Sequence, residues 1–123
     1  MIHIVQAGQA GKTKYLIDMH RVRTKIFRDR MGWNVDINKM GLEIDEYDLP
    51  ETVYILSTDK NDKVVGVWRF LPTTSPSMIR NIWPQYLKTL PIPYSVSMCE
   101  TSRFGVDAHE LNPLGPNMDR FGV

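Results

Sequence analysis

The sequence predicts an α/β (α+β) fold, in which a mixed β-sheet carries flanking helices. Three observations predict it. β-Rich segments occur near residues 2–5, 53–70 and 94–104, an amphipathic helical segment starts at residue 13, and 42% of the residues are hydrophobic and 24% charged. A length of 123 residues suits one domain, so residues 1–123 are taken as a single unit.

The first strand and the first helix follow directly from local patterns. Ile2–Val5 alternates in residue type and predicts a short strand, which Gly8 and Gly11 interrupt. From Thr13 the apolar residues recur at helical spacing, and Gly32 ends that helix. The apolar stripe contains Tyr15, Met19, Val22 and Ile26.

The remaining elements alternate with loops. Residues 34–52 are acidic and weakly periodic, which predicts a long ordered loop. Val53–Thr58 and Val64–Phe70 predict a β-hairpin, since both are rich in β-formers and a polar turn separates them. A short helix is expected from Pro84, and Tyr94–Phe104 predicts another strand.

One glycine-rich segment stands where a phosphate-binding loop would be. Gly8–Thr13 follows a strand and precedes a helix, but the phosphate-loop pattern needs a further glycine at the position of Gln6. An ordinary strand-to-helix turn is therefore favoured over nucleotide binding.

Composition narrows the class of protein. The longest apolar runs are too short to span a membrane. The single cysteine, Cys99, permits no internal disulfide and agrees with a reducing, cytoplasmic compartment. The three histidines, His3, His20 and His109, lie too far apart to suggest a metal site.

The charges are unevenly distributed, although the net charge is only +1. Residues 12–30 hold seven Lys or Arg, and residues 36–62 hold eight Asp or Glu. Such blocks suit an anionic partner on one side and a cationic ligand on the other, or simply a solvated surface. No exposed aromatic residues are expected between the basic ones as in single-strand binders, and the net charge is only +1, so nucleic acid is not favoured.

Four segments carry the most specific signal: Arg21–Trp33, Glu43–Asp48, Val67–Ile79 and Cys99–Phe104. In order and spacing they resemble the LuxI-type autoinducer synthases, also called acyl-homoserine-lactone synthases. The resemblance implies an acetyltransferase-like (GNAT) fold. It also implies transfer of an acyl group from acyl-carrier protein, or from acyl-CoA, to the amine of S-adenosylmethionine. Lactone closure then gives a quorum-sensing signal; S-adenosylmethionine is a substrate, and no cofactor or metal is implied.

The same resemblance implies roles for individual residues. The S-adenosylmethionine site is expected to contain Arg23, Phe27, Trp33, Asp45, Asp48, Arg69 and Arg103. Carboxylates suit the positive groups of this substrate, guanidinium groups suit its carboxylate, and aromatic faces suit its sulfonium. The amine must lose a proton before it attacks, and Glu100 is the first candidate base, with Asp45 second. The acyl and pantetheine path is expected to contain Trp83, Thr101, Ser102 and Phe104.

Two features of this set can be checked in a structure. The charged residues could instead form a structural ion-pair network that holds the acidic loop to the sheet. Glu100 and Arg103 are three residues apart, so a regular strand would point them to opposite faces; a shared site requires a β-bulge or a twist there. Backbone N–H groups near residues 103–105 are candidates for an oxyanion site.

The chain also departs from the family pattern, because the members of the family are considerably longer. The resemblance implies an N-terminal portion of a synthase, with a sheet incomplete at its C-terminal side and an open edge. Two alternatives stay open: an N-acyltransferase of the same fold that acts on another amine, and a non-catalytic remnant that binds a partner.

Overall fold

The structure is a computed structural model that describes residues 1–82, 85, 91 and 94–107. The predicted alternation of strands, helices and loops is confirmed. The elements are β1 (Ile2–Gln6), α1 (Thr13–Arg23), a π-helical segment (Thr24–Arg30), β2 (Val53–Thr58), β3 (Val64–Pro72), α2 (Met78–Asn81) and β4 (Cys99–Val106).

The four strands form one sheet in the order β1-β2-β3-β4, and every described pair is antiparallel. The predicted hairpin joins β2 to β3. Its turn is held by Asp59, whose Oδ1 accepts the backbone N–H groups of Asn61 at 2.8 Å and Lys63 at 3.0 Å. The predicted α/β class is therefore correct.

One face of the sheet packs against α1 and the π-helical segment. Three of the four residues in the predicted apolar stripe, Met19, Val22 and Ile26, are buried, and Tyr15 packs partly buried beside them. They meet the inward residues Tyr54, Leu56 and Val67 of the central strands, among others. This layer places α1 over β3 and the π-helical segment against Gly105 of β4, and the charged residues collect nearby.

One predicted boundary was wrong. The last strand begins at Cys99 and not at Tyr94, because Ser95 donates its backbone N–H to the Thr73 hydroxyl and starts a turn with Met98. A short helix, Met78–Asn81, precedes β4. The helix predicted from Pro84 lies outside the described residues.

No helix in the described ranges combines the length and the apolar character needed to cross a bilayer.

Candidate active site

Six charged side chains, three arginines and three carboxylates, meet at the end of α1, and we call them the charged cluster. Its members are Arg23, Glu43, Asp45, Asp48, Arg69 and Arg103. The loop between the π-helical segment and β2 supplies all three acids, whereas the arginines come from α1, β3 and β4. Each of them except Glu43 was expected from the sequence.

Arg23 is the buried centre of the cluster. Its Nε and Nη2 donate to Glu43 at 3.1 and 3.0 Å, and its Nη1 donates to Asp48 Oδ1 at 2.6 Å. The Arg23 and Glu43 side chains have no exposed surface. Every guanidinium nitrogen of Arg23 is thus engaged by a carboxylate of the same chain, which is typical of a structural ion pair.

Asp48 is the most strongly stabilised carboxylate. Burial alone would raise the pKa of Asp48, but hydrogen bonds and charge from Arg23, with the charge of Arg69, outweigh it and hold that pKa below its usual range. The hydroxyl of Tyr54 also donates to Asp48, at 2.6 Å. Burial, together with the neighbouring Asp48 charge, raises the pKa of Tyr54, so that hydroxyl stays protonated.

Arg69 links the sheet to the acidic loop. Its Nη1 donates to Asp45 at 2.6 Å and to Asp48 at 3.3 Å, and its Nε donates to the Ser102 hydroxyl at 2.9 Å. Its Nη2 is buried and meets no acceptor among the residues that the structure describes. A buried donor of this kind is ordinarily satisfied by an ordered water or a ligand.

Arg103 reaches the cluster only because β4 is irregular. The pairing of β3 with β4 shifts between Val67 and Arg69, and Arg103 has φ +54°, a left-handed conformation that non-glycine residues rarely adopt. The bulge turns Arg103 inward, where its Nε donates to Glu43 at 2.6 Å. Glu100 and Arg103 consequently border one groove, and the predicted bulge is confirmed.

Two aromatic rings lie against the Arg103 guanidinium. Its central carbon is 5.5 Å from the Phe27 ring centroid and 5.7 Å from that of Trp33. The two rings stack at 5.1 Å. Phe27 is 1% exposed and Trp33 44%, so only Trp33 offers an aromatic face to an incoming molecule.

Glu100 lies in a groove of about 600 Å³ that Trp33 and Arg103 also border. Its two carboxylate oxygens accept the backbone N–H groups of Met78 at 3.0 Å and Ile79 at 2.8 Å, at the start of α2. A carboxylate offers about four lone-pair positions, so each oxygen retains one for a further donor.

Two side chains one helical turn apart hold the acidic loop in place: His20 in α1 and Thr24 at the start of the π-helical segment. The Thr24 hydroxyl donates to the Gly41 carbonyl at 2.8 Å and accepts the Glu43 N–H at 2.9 Å. His20 Nδ1 lies 2.8 Å from the Glu43 carbonyl and is therefore the donor. Burial, with the charge of Arg23, lowers the pKa of His20, so its ring is neutral near pH 7.

The three carboxylates of the charged cluster also lie close enough together to hold a cation. Three arginines contact them, so three positive charges already balance three negative ones. The arrangement is accounted for by the ion pairs alone.

The residues expected along an acyl path do not share one environment. Thr101 borders the groove. Ser102 borders it too and holds Arg69. Phe104 is 56% exposed and points to the opposite face of the sheet, where its ring packs edge-on against Trp68 at 5.2 Å. Trp83 lies outside the described residues.

Sequence reasoning missed two members of this site. Glu43 accepts from both Arg23 and Arg103, and Tyr54 donates to Asp48. A signal for Glu43 was present, because it lies two residues before Asp45 and alternate residues of an extended segment share a side. No comparable signal marks Tyr54, which reads as an ordinary core residue of β2.

Comparison with known proteins gives one consistent family. The family model for autoinducer synthases matches residues 9–118. An acyl-homoserine-lactone synthase of Pseudomonas aeruginosa is 35% identical over 116 residues, which are 91% of this chain and 57% of that protein. One of Vibrio anguillarum is 35% identical over 99 residues, 80% of this chain and 51% of that protein. The chain thus spans about half the length of the curated relatives that it matches.

Comparison with solved structures gives the same family. The acyl-homoserine-lactone synthase LasI superposes with a TM-score of 0.77 at 32% identity, over 99% of this chain and 60% of that one. BjaI, a CoA-dependent synthase solved with S-adenosylmethionine and isopentyl-CoA, superposes with a TM-score of 0.79 at 31% identity, over 91% and 53%.

Proposed function

Because this chain belongs to the autoinducer synthase family, we propose that it carries the S-adenosylmethionine site and the catalytic base of an acyl-homoserine-lactone synthase. One observation supports this most strongly: Trp33, Arg103 and Glu100 border a single groove, and the charged cluster fixes Arg103 from behind. The full activity would transfer an acyl group to the substrate amine and make a quorum-sensing signal.

In this proposal the fully buried members of the charged cluster and the partly exposed Arg103 have different roles. Arg23, Asp48 and Arg69 are buried and hold the loop to the sheet, so they act as positioning residues. Arg103 is partly exposed, and its Nη2 meets Asp45 at 3.3 Å. We assign the carboxylate of S-adenosylmethionine to the free side of Arg103, since a guanidinium can bind two carboxylates at once.

Trp33 is assigned to the cationic and aromatic parts of the substrate. Its exposed face can stack on adenine or meet the sulfonium through cation–π attraction. Phe27 supports the Trp33 ring from beneath and is too buried to touch a ligand.

Glu100 is the preferred base. The substrate ammonium gives a proton to the remaining lone pair of Glu100, and the neutral amine then attacks the acyl carbonyl. Asp45 suits this role less, because its two oxygens already accept hydrogen bonds from Arg69 and Arg103. The acyl group is supplied as a thioester of acyl-carrier protein or coenzyme A, so the tetrahedral intermediate collapses with cleavage of the C–S bond, and the carrier thiolate leaves and takes up a proton. The substrate carboxylate then displaces methylthioadenosine to close the lactone.

The bulge of β4 suggests where the developing negative charge on the acyl oxygen is stabilised. Arg103 and Phe104 have no partner in the pairing register of β3 and β4. We assign their backbone N–H groups to the oxyanion, for which preorganised amides are effective donors.

Calorimetric titration with S-adenosylmethionine tests the proposal. We expect the folded chain to bind it, and Trp33→Ala to weaken the affinity about tenfold, the size of a partly desolvated cation–π contact. Glu100→Gln removes the base and should bind with a smaller loss than Trp33→Ala; because the Gln amide accepts only one of the Met78 and Ile79 N–H groups, a thermal melt verifies that this variant is folded. Trp68→Ala, which truncates an exposed tryptophan on the opposite face of the sheet, is the matched control.

Two outcomes would overturn it. A folded, monodisperse chain that binds no S-adenosylmethionine would favour a non-catalytic role. Equal losses for Trp33→Ala and Trp68→Ala would remove Trp33 from the site.

A further inference from the structure

The end of β4 is held to the π-helical segment by Arg30, the last residue of that segment. Arg30 Nη1 donates to the Val106 carbonyl at 3.1 Å, and its Nη2 donates to Asp107 Oδ1 at 2.9 Å. The Asp107 side chain is nearly buried, Lys25 Nζ lies 4.0 Å from its second oxygen, and the Asp107 N–H donates to the Val65 carbonyl at 2.7 Å. Arg30 thus binds two consecutive residues, and we call these two contacts the Arg30 clamp.

The Arg30 clamp lies directly beyond the β-bulge of β4. Between the pairs Val67–Gly105 and Arg69–Ser102, β4 contains one residue more than β3. Arg103 falls in this interval and has φ +54°. A non-glycine residue is disfavoured in this conformation and keeps it only where the surrounding structure holds it there. The bulge therefore needs support from outside the pairing of the two strands.

A regular strand is the alternative that would relieve this conformation. If β4 paired with β3 without the bulge, every residue after Ser102 would slip by one position. Arg103 would then lie opposite Trp68, which is on the face of the sheet that points away from α1. Because cross-strand partners share a face, the Arg103 guanidinium would leave Glu43 and the groove. The place of Arg103 in the site therefore depends on the bulge.

The π-helical segment excludes the regular register for as long as β4 packs against it. A slip of one residue would bring Phe104 to the place of Gly105, where even a Cβ atom would lie 3.0 Å from Ile26 Cγ2. This steric exclusion works only if the end of β4 cannot lift away from the π-helical segment. The Arg30 clamp joins that end to the segment, so it maintains the exclusion and with it the bulge.

We propose that Arg30 is a positioning residue for the S-adenosylmethionine site. It holds the end of β4 against the π-helical segment and so keeps Arg103 turned towards the groove. Arg30 is not one of the residues that border the groove, and it acts through the strand without touching the substrate. The inference rests on the proposed function, in which Arg103 binds the substrate carboxylate.

Two-dimensional ¹H–¹⁵N NMR of the ligand-free chain tests the position of Arg103. In the wild type the Arg103 Nε–H donates to Glu43 at 2.6 Å, so its signal should lie downfield and its proton should exchange slowly. Arg30→Met keeps an unbranched side chain and removes the guanidinium. We expect the Nε–H signal in this variant to move to the position of a solvent-exposed arginine. Unchanged amide signals of β1 and β2 verify that the variant is folded.

Calorimetric titration with S-adenosylmethionine gives the second readout. Arg30→Met should weaken the affinity about tenfold, the factor by which one left-handed residue is disfavoured once nothing holds it. Arg28→Met is the matched control, because Arg28 belongs to the same π-helical segment and its Nε donates to the neighbouring Asp29 at 2.8 Å. It should change neither the affinity nor the Arg103 signal. Arg30→Lys keeps the charge but not the fork that reaches two acceptors, so its effects should be smaller and in the same direction.

Two results would overturn the inference. The first is a folded Arg30→Met variant with an unchanged Arg103 signal and an unchanged affinity; if Arg30→Met does not fold, the same result for Arg30→Lys decides. The second is an equal change in Arg28→Met, which would assign the effect to the loss of charge. A wild-type chain that binds no S-adenosylmethionine would contradict the proposed function instead, and the ligand-free spectra would still show whether Arg30 holds Arg103 in place.

Discussion

At the scale of single residues, Asp48 shows how burial and pairing decide a role. Its carboxylate accepts hydrogen bonds from Arg23, Arg69 and Tyr54, all of which are buried. The residue therefore contributes to the shape of the site rather than to ligand contact. Such a residue should be detectable through stability.

Replacing Asp48 with Asn should lower the free energy of unfolding at pH 7 by about 3 kcal/mol, because Arg23 loses one of its two buried carboxylates. The effect should depend on pH. The folded pKa of Asp48 is depressed, so its stabilisation is complete above the unfolded value of about 3.9 and is lost as pH falls towards the folded pKa. Asp48→Asn should flatten this acid limb.

Urea unfolding at a series of pH values measures both effects. Asp36→Asn, at an exposed carboxylate of the same loop, should leave the curve unchanged. Equal acid limbs in wild type and Asp48→Asn would contradict the structural role of Asp48.

Gly105 is a second residue with a specific packing role. A Cβ atom at this position would lie 3.0 Å from Ile26 Cγ2 and 3.1 Å from Ile26 Cδ1, both in the core. Gly105→Ala should therefore cost about 1–2 kcal/mol of stability through overpacking. The double variant Gly105→Ala, Ile26→Val should recover part of this loss in a thermal melt, and no recovery would argue against the clash.

At the scale of elements, the junction between α1 and the π-helical segment organises the acidic loop. Thr24 starts the π-helical segment, and His20 lies one turn earlier; both bind the backbone of residues 41–43. π-Helical turns often occur at functional sites. Here the turn places the Thr24 hydroxyl where it can bind that backbone.

Thr24→Val tests this junction, because the two side chains have the same shape and only the hydroxyl is lost. The Gly41 carbonyl and the Glu43 N–H would both lose a buried partner, so we expect a loss of about 2 kcal/mol in the free energy of unfolding. Thr24→Ser keeps the hydroxyl and should lose less than half as much. Equal losses would assign the effect to packing.

The sequence was most informative about elements with strong periodicity. The stripe of α1 predicted both the helix and its buried face, and the two β-rich runs predicted the β2–β3 hairpin. The start of β4 was predicted too early, since the Thr73 hydroxyl binds the backbone of Ser95 and Met98 and holds this segment in a turn. Such long-range side-chain contacts have no period to detect.

The candidate site was likewise predictable only in part. The spacing of Glu100 and Arg103 predicted a bulge or a twist in the last strand, because a regular strand points residues three apart to opposite faces, and the structure has the bulge. The separation of the cluster into buried positioning residues and groove-facing residues was not predictable. It depends on which guanidinium the acidic loop encloses, and residue types alone do not specify that.

At the scale of the whole molecule, the two faces of the sheet carry different kinds of residue. The inner face carries the core and the charged cluster, and one end of it opens into the groove of Trp33 and Glu100. In the described strands, the face that points away from α1 carries no charged side chain. A variant of that face, such as Trp68→Ala, should therefore leave S-adenosylmethionine binding unaltered in a calorimetric titration.

The central claim is that the groove holds S-adenosylmethionine, and two-dimensional ¹H–¹⁵N NMR of the chain with and without this substrate tests it most directly. The account predicts that the largest shift changes occur at the Trp33 indole, at Arg103 and at the amides of Met78 and Ile79. Shift changes confined to the face of the sheet that points away from α1, or confined to residues 6–13, would contradict it. So would the absence of any shift change at saturating substrate.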